Sequence, residues 1–143
     1  MFVSFHLHHI HTNILLGEKR KIAAWIKQII EKEHKNTGNI AVILTDKKHL
    51  LALNKEHLKH DYHTDIITFN YNDGKTISGD LFISIDRIKE NALTYTVPAK
   101  QELLRVIIHG ILHLLGYNDA TENEKRVIRK KEDDALSLFN ALA

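Results

Sequence analysis

The sequence predicts an α+β domain in which a small mixed sheet of about four strands is packed with helices around a buried central helix. Alternating or β-branched apolar runs, which are typical of strands, are separated along the chain by apolar residues at helical spacing. The stretch HGILHLLGYND, residues 109–119, falls in a helix that is apolar almost all round. The 143 residues, 43% of them hydrophobic, suit one domain spanning residues 1–143.

The first half of the chain predicts two strands, each followed by a helix. Residues 2–8, FVSFHLH, alternate in polarity as a half-buried strand does, and residues 17–34 then carry isoleucines at helical spacing. Residues 39–46, NIAVILTD, form a β-branched run that ends in Asp46. The Asp46 carboxylate can cap a helix that continues through Leu53.

The middle of the chain predicts two neighbouring strands. Residues 64–71, TDIITFNY, and residues 79–85, GDLFISI, are both rich in β-branched and aromatic side chains. The intervening residues 72–78, NDGKTIS, contain an Asp-Gly turn signal. We therefore expect these two strands to pair.

The central helix is predicted at residues 99–115. Asp86 is expected to cap the helix before it, which reaches about Tyr95, and the proline at position 98 suits the first turn of the central helix. Gly116 is expected to end the central helix, because glycine readily adopts the left-handed backbone conformation found at helix ends.

The last helix is predicted to begin at TENE, residues 121–124, which has the form of a capping box, and to reach about Leu138. Basic residues concentrate there and in EKRK, residues 18–21. Such runs are usually solvated faces, and a track for an RNA backbone is the functional alternative. In the last helix the run comprises Lys125, Arg126, Arg129, Lys130 and Lys131.

Bulk composition restricts the partners and the compartment. The formal net charge is only +2, so any nucleic-acid site must rest on a local patch. There is no cysteine, so a metal site would need histidine or carboxylate ligands. No apolar segment approaches the roughly 20 residues that span a bilayer, and the N-terminus does not resemble a secretory signal. We therefore expect a cytoplasmic protein without a membrane partner.

The 109–119 stretch has the spacing of a metal site. On a helix, His109 and His113 lie on one face, and a chain reversal at Gly116 would bring Asp119 to the same point. Two imidazoles and one carboxylate are ordinary zinc ligands, and three protein ligands leave a fourth position for water, as in zinc hydrolases. Buried histidines that bond only to the backbone are the alternative reading, and the residues alone leave both open.

Two other histidine groups compete with this assignment. His6, His8, His9 and His11 are read as a polar strand face, since no carboxylate or turn completes a site there. The other group, His57, His60 and His63, is read as a polar helix end and loop that can lie near the substrate.

Three motifs resemble those of the YbeY family of bacterial endoribonucleases. HGILHLLGYND resembles the family signature HGxLHLxGYDH. LNKEHLKHDYHTDIITF, residues 53–69, resembles LNxxYRxxDxPTDVLSF, and GDLFIS, residues 79–84, resembles GDIxIS. The three blocks occur in the family's order, and the likeness covers most of the chain.

The resemblance implies a zinc-dependent, single-strand-specific endoribonuclease that processes ribosomal RNA. Its implied roles are maturation of the 16S rRNA 3′ end and ribosome quality control, with ribosomal RNA and the small ribosomal subunit as partners and no DNA. It implies one Zn²⁺ ion held by His109, His113 and Asp119, with His109 at the catalytic centre. Asp119 stands where the family has a third histidine.

A second departure concerns the phosphate contact. The arginine of the family's LNxxYR block, thought to act on the RNA phosphate, falls on Leu58. Either Lys59, Lys55 or another basic residue supplies the contact, or cleavage relies on the metal alone and is less efficient. Lys59, the nearest cation in the sequence, is assigned as the substrate-binding residue.

Two further functions stay open from the sequence. A ribosome-associated RNA- or protein-binding factor with a purely structural zinc is favoured by the missing arginine at position 58. A metal hydrolase acting on another substrate is also possible, but Gly110 stands where zinc peptidases of the HExxH type carry their general-base glutamate. That substitution argues against peptide hydrolysis and for phosphodiester cleavage.

Overall fold

The computed structural model describes residues 2–15, 17–58 and 64–142. Within them lie four strands and five helices. In chain order these are β1 (Val3–Leu7), α1 (Lys19–Lys32), β2 (Asn36–Thr45), α2 (Lys47–Leu58), β3 (Ile66–Asn70), β4 (Thr76–Ser84), α3 (Ile85–Tyr95), α4 (Ala99–Leu114) and α5 (Glu122–Ala141).

The four strands form one mixed sheet in the order β1-β2-β4-β3. Strand β2 pairs in parallel with both β1 and β4, while β3 pairs antiparallel with β4. The prediction of a small mixed sheet in an α+β fold is therefore confirmed, as is the pairing of β3 with β4. Strand β3 is at the edge of the sheet and forms one wall of the candidate site.

The core lies between the sheet and the helices that cover one of its faces. Alternate residues of β4 are buried on that face, namely Ile77, Gly79, Leu81 and Ile83. Helices α1 and α4 pack on the sheet, and α5 packs on both of them. Trp25 of α1 is fully buried there, and its indole N–H donates to the Ala135 carbonyl of α5 at 2.7 Å.

Helix α4 is the most buried helix, as the sequence predicts. Ten of its residues are buried, including the run from Val106 to Ile108 and Gly110 to Leu112. It contacts β3, β4, α3 and α5, so a side chain on its one open flank is rigidly placed.

Two predicted helix starts differ from the structure. Ser84, rather than Asp86, caps α3, because its hydroxyl accepts from the Arg87 backbone N–H at 3.2 Å. Asp86 lies in the first turn and instead accepts from the Lys47 backbone N–H at the start of α2, at 2.8 Å. Pro98 is the N-cap of α4 and not part of its first turn.

The predicted starts of α2 and α5 are confirmed, but both helices run further than predicted, to Leu58 and Ala141. Asp46 caps α2 by accepting from the His49 backbone N–H at 2.8 Å, and Thr121 and Glu124 form the capping box of α5. Strand β4 begins three residues earlier than predicted, because the turn at Asp73-Gly74 is tighter than the 72–78 loop. None of the helices in the described parts of the chain is long and apolar enough to cross a membrane.

Candidate metal centre

The two histidines of α4 lie one turn apart on its open flank. Their Nε2 atoms are 3.0 Å apart, and the ring centroids are 4.6 Å apart. The prediction that the helix is buried is confirmed, but these two side chains keep 23% and 28% of their surface exposed. The pair therefore faces a cleft that a substrate can enter.

Asp119 reaches the histidines because the chain reverses at Gly116. This glycine has a φ of +102°, a conformation that other residues rarely adopt. Its N–H donates to the His113 carbonyl and the next N–H, of Tyr117, donates to the Leu112 carbonyl, both at 3.0 Å. This is the Schellman pattern of a glycine-terminated helix. It places Asp119 Oδ2 3.3 Å from His109 Nε2 and 3.5 Å from His113 Nε2.

The hydrogen bonds of the outer ring nitrogens assign the tautomers. His109 Nδ1 lies 2.6 Å from Oε2 of Glu132, and His113 Nδ1 lies 2.9 Å from the Tyr117 carbonyl oxygen. An ionised carboxylate and a carbonyl can only accept, so each Nδ1 carries the hydrogen. In neutral imidazoles both Nε2 lone pairs then point at each other and at Asp119.

Three acceptor atoms facing one another repel unless a cation lies between them. The ligand atoms of His109, His113 and Asp119 all lie within 4.8 Å of one another. Ligands about 2.1 Å from a tetrahedral zinc are separated by about 3.4 Å, close to the 3.0, 3.3 and 3.5 Å found here. The donor set and its spacing therefore fit a zinc-type ion.

Burial and the neighbouring negative charges act on the pKa of His109 in opposite directions. Burial alone would lower the pKa of the imidazole, but the hydrogen bond and negative charge of Glu132, helped by Asp119 and Asp65, raise it on balance. The same negative charges favour a bound metal cation.

The group formed by His109, His113 and Asp119 opens onto a cleft of about 550 Å³. One wall is the edge strand β3, and the lining includes Leu58. Asp65 also lines this cleft, and its carboxylate accepts from the Asn91 side chain at 3.4 Å. The sequence analysis did not single out Asp65 as a residue of the site. The TD pair just before a strand was the available signal.

Sequence reasoning also missed a buried ionic cluster behind His109. Glu102 and Glu132 are 1% and 2% exposed, and Arg105 lies between them. The Arg105 guanidinium donates to Glu102 at 3.0 Å through Nε and to Glu132 Oε1 at 3.3 Å through Nη1. An acid and a base three residues apart in an otherwise apolar helix were the only signal of it.

Gly110 allows α4 to pack closely against the sheet. A Cβ at this position would lie 2.7 Å from Ile66 Cδ1 and 2.9 Å from Leu81 Cδ2. There is thus no room for the glutamate of an HExxH peptidase at this position, because the residue faces the sheet and not the cleft.

Comparison with known proteins identifies the family. The family model for Endoribonuclease YbeY matches residues 8–140. A relative from Parabacteroides distasonis named Endoribonuclease YbeY is 45% identical over 122 residues, covering 85% of this chain and 86% of the relative. The chain belongs to the Endoribonuclease YbeY family. This confirms the resemblance found in the three sequence motifs.

Other YbeY relatives and one solved structure agree. Proteins of the same name from Flavobacterium psychrophilum and Phocaeicola vulgatus are 42% and 45% identical, covering 87% and 86% of this chain and 89% of each relative. The solution structure of TM1509 from Thermotoga maritima superposes with a TM-score of 0.68, covering 96% of this chain and 88% of that one. At 23% identity it supports the fold alone.

Of the other residues singled out in this YbeY chain, those that the structure describes do not belong to the group of candidate ligands. Lys59, His60 and His63 lie outside the described residues. The N-terminal histidines are exposed, and His6 bonds to the Ser4 hydroxyl. His57 is exposed at the end of α2 and contacts the Phe69 ring. Within the described ranges, no other three His, Cys, Asp or Glu side chains lie close enough to hold a metal.

The basic run of α5 is a solvated face with partial charge compensation. Lys130 pairs with Asp134 at 2.9 Å, and Lys125 lies 3.7 Å from Glu122. Lys131 donates to Glu33 at 3.2 Å. The solvated interpretation accounts for these contacts, and an RNA track on this face stays a prediction.

Proposed function

We propose that this YbeY chain, as a single domain of residues 1–143, is a zinc-dependent endoribonuclease that cleaves single-stranded RNA. The observation that carries the proposal is the convergence of His109 Nε2, His113 Nε2 and Asp119 Oδ2 at an open cleft. Family membership supports the nuclease chemistry, and the ligand types support one zinc ion.

In this proposal the chain's own residues prepare the cleft for RNA. His109, His113 and Asp119 would hold the ion, which when bound supplies a Lewis acid for the phosphodiester and lowers the pKa of water. Asp65 offers a carboxylate that can accept a hydrogen bond from a substrate hydroxyl. The polar groups of the β3 edge, including Thr68 and Asn70, can bind an extended strand lying along the cleft.

We infer that the substrate is ribosomal RNA and that the protein acts in the cytoplasm with the small ribosomal subunit. Maturation of the 16S rRNA 3′ end and ribosome quality control are the proposed roles, with no membrane or DNA partner. Family membership supports these assignments, as does a cleft of about 550 Å³ that is lined by β3 beside the three candidate ligands.

The test is cleavage of ribosomal RNA fragments by zinc-loaded protein. We expect wild type to cleave single-stranded segments and His113→Ala to lose cleavage, while His6→Ala, which removes an exposed histidine of β1, cleaves normally. Equal cleavage by wild type and His113→Ala would exclude the proposed active site. Absence of cleavage in both samples would contradict the nuclease assignment under these conditions.

A second candidate is an RNA- or protein-binding factor in which zinc is only structural. Leu58 favours it, because a leucine in the lining of the cleft cannot contact a phosphate as an arginine does. Filter binding of the same RNA separates the two functions. His113→Ala that still binds RNA but no longer cleaves it supports the enzyme, whereas tight RNA binding without cleavage by zinc-loaded wild type supports the binding factor.

A further inference from the structure

We infer that Glu132 is a positioning residue for the metal centre: it holds His109 with its Nε2 lone pair directed into the site. The inference rests on the proposed metal-dependent function and concerns a residue that does not itself reach the cleft. It is carried by the 2.6 Å contact between Glu132 Oε2 and His109 Nδ1 and by the burial of that carboxylate.

The two ligand histidines are anchored in different ways. His113 donates its Nδ1–H to the backbone carbonyl of Tyr117, a neutral acceptor fixed by the helix end. His109 donates to a carboxylate that arrives from α5, 23 residues further along the chain. A charge-assisted bond is shorter and stronger than a neutral one, and a carboxylate behind an imidazole makes that imidazole a better metal ligand.

Glu132 is itself held by a second contact. Its Oε1 accepts from Arg105 Nη1 at 3.3 Å, while Oε2 is left for His109. Arg105 also bonds to Glu102, so the cluster joins α4 to α5 on the side of His109 away from the cleft. The hydrogen bonds from Arg105 to Glu132 and from His109 Nδ1 to Glu132 therefore hold the imidazole in place. They leave Nε2 of His109 free to face the other candidate ligands.

Burying the Glu132 carboxylate costs free energy, so a contribution to stability does not by itself explain its presence. A carboxylate that is 2% exposed has lost its water, and apolar residues of similar volume often stabilise a core as well as a buried ion pair does. The hydrogen bond to His109 supplies a functional reason for a carboxylate at this buried position. Glu102 provides an internal comparison, because it is equally buried and bonds to the same arginine but lies about two helical turns from His109.

The experiment compares Glu132→Gln with Glu102→Gln. Each variant removes one buried negative charge from the same cluster, but only Glu132→Gln changes the contact with His109. Zinc affinity is measured by competition with a chromophoric chelator. We expect Glu132→Gln to weaken zinc binding about 10- to 100-fold, the range found when outer partners of metal ligands are changed, and Glu102→Gln to stay within about threefold of wild type.

A second measurement needs neither the Glu132 variant nor a metal. Two-bond proton–nitrogen NMR spectra of metal-free wild type, with His109 assigned by comparison with His109→Ala, report which ring nitrogen carries the hydrogen. We expect a single Nδ1–H form at a pH where the ring is neutral. A predominant Nε2–H form would overturn the inference even if Glu132→Gln does not fold.

The outcomes separate this inference from the proposed function. Equal weakening of zinc binding in both variants, or no weakening in Glu132→Gln, would overturn the positioning role while leaving the metal site standing. If wild type binds no zinc, the proposed function fails, and the tautomer of His109 still decides whether Glu132 orients the ring.

Discussion

The Tyr117 hydroxyl donates a 2.6 Å hydrogen bond to Oε1 of Glu33, across 84 residues of sequence. The other Glu33 oxygen accepts from Lys131 of α5 at 3.2 Å. Tyr117 also accepts the Nδ1–H of His113 through its backbone carbonyl. One residue thus fixes His113 of the candidate metal centre with its main chain, and its side chain connects the turn before Asp119 to the end of α1.

Replacing this tyrosine should separate stability from metal binding. Tyr117→Phe removes the hydroxyl but keeps the ring and the carbonyl that orients His113. We expect a loss of about 1–2 kcal/mol in the free energy of unfolding, since a bond to a charged acceptor is lost, with little change in zinc affinity. Urea denaturation measures the loss. Tyr95→Phe, at an exposed position, is the control and should be near neutral. Equal effects in the two variants would contradict the expectation.

The same contact predicts how stability depends on pH. The Tyr117 hydrogen bond, with help from Lys131 and against the effect of burial, lowers the pKa of Glu33 below its ordinary 4.5. A carboxyl with a lowered folded pKa adds stability above its unfolded pKa and loses it as the pH falls through the folded pKa. The difference in unfolding free energy between wild type and Glu33→Gln should thus be present at pH 7 and shrink below about pH 4.5. A difference in unfolding free energy that grows as the pH falls would contradict the predicted pH dependence.

Changing the third ligand tests the metal centre directly. Asp119→Ala leaves two histidines and should reduce zinc occupancy strongly, because two protein ligands hold zinc much less well than three. Asp119→His installs the residue found in the family signature and should keep zinc bound. Elemental mass spectrometry after dialysis measures both. Full zinc content in Asp119→Ala would contradict the three-ligand site.

Leu58 offers a test of the missing phosphate contact. It lies at the end of α2, lines the cleft and is 39% exposed, so a longer cationic side chain has room. Leu58→Arg should lower KM for RNA, since a guanidinium can bind phosphate through two hydrogen bonds. Leu58→Met is the uncharged control. An unchanged KM in the arginine variant would indicate that another basic residue already supplies the contact.

The sequence predicted those parts of the molecule that depend on local patterns. Helix α4, its stop at Gly116 and the grouping of His109, His113 and Asp119 all follow from helical spacing and glycine conformation. The outer partners of the two histidines could not be predicted in this way. Glu132 is brought to His109 only by the packing of α5 on α4, which no local pattern encodes.

Errors in the sequence reasoning have a similar physical origin. Asp86 has the right residue type for a cap, but Ser84 satisfies the helix first because the strand ends one residue before the helix begins. Asp65 escaped notice because its carboxylate reaches the cleft only once β3 pairs with β4 beneath α4. In both cases the tertiary structure determines which residue takes the role, and the local sequence does not distinguish the candidates.

The close packing at Gly110 predicts a specific coupling with Ile66. Gly110→Ala should gain about 1 kcal/mol from the higher helix propensity of alanine. However, its Cβ would clash with Ile66 Cδ1 and the Leu81 methyl groups, and overpacking a core costs about 1–3 kcal/mol. We expect a net loss of stability and a shift of α4 that weakens zinc binding. Ile66→Val removes the nearest contacting atom, so the double variant should be more stable than the sum of the single effects. Gln101→Ala, exposed on the same helix, controls for propensity alone. Strict additivity of Gly110→Ala and Ile66→Val in urea denaturation would show that the helix does not depend on this contact.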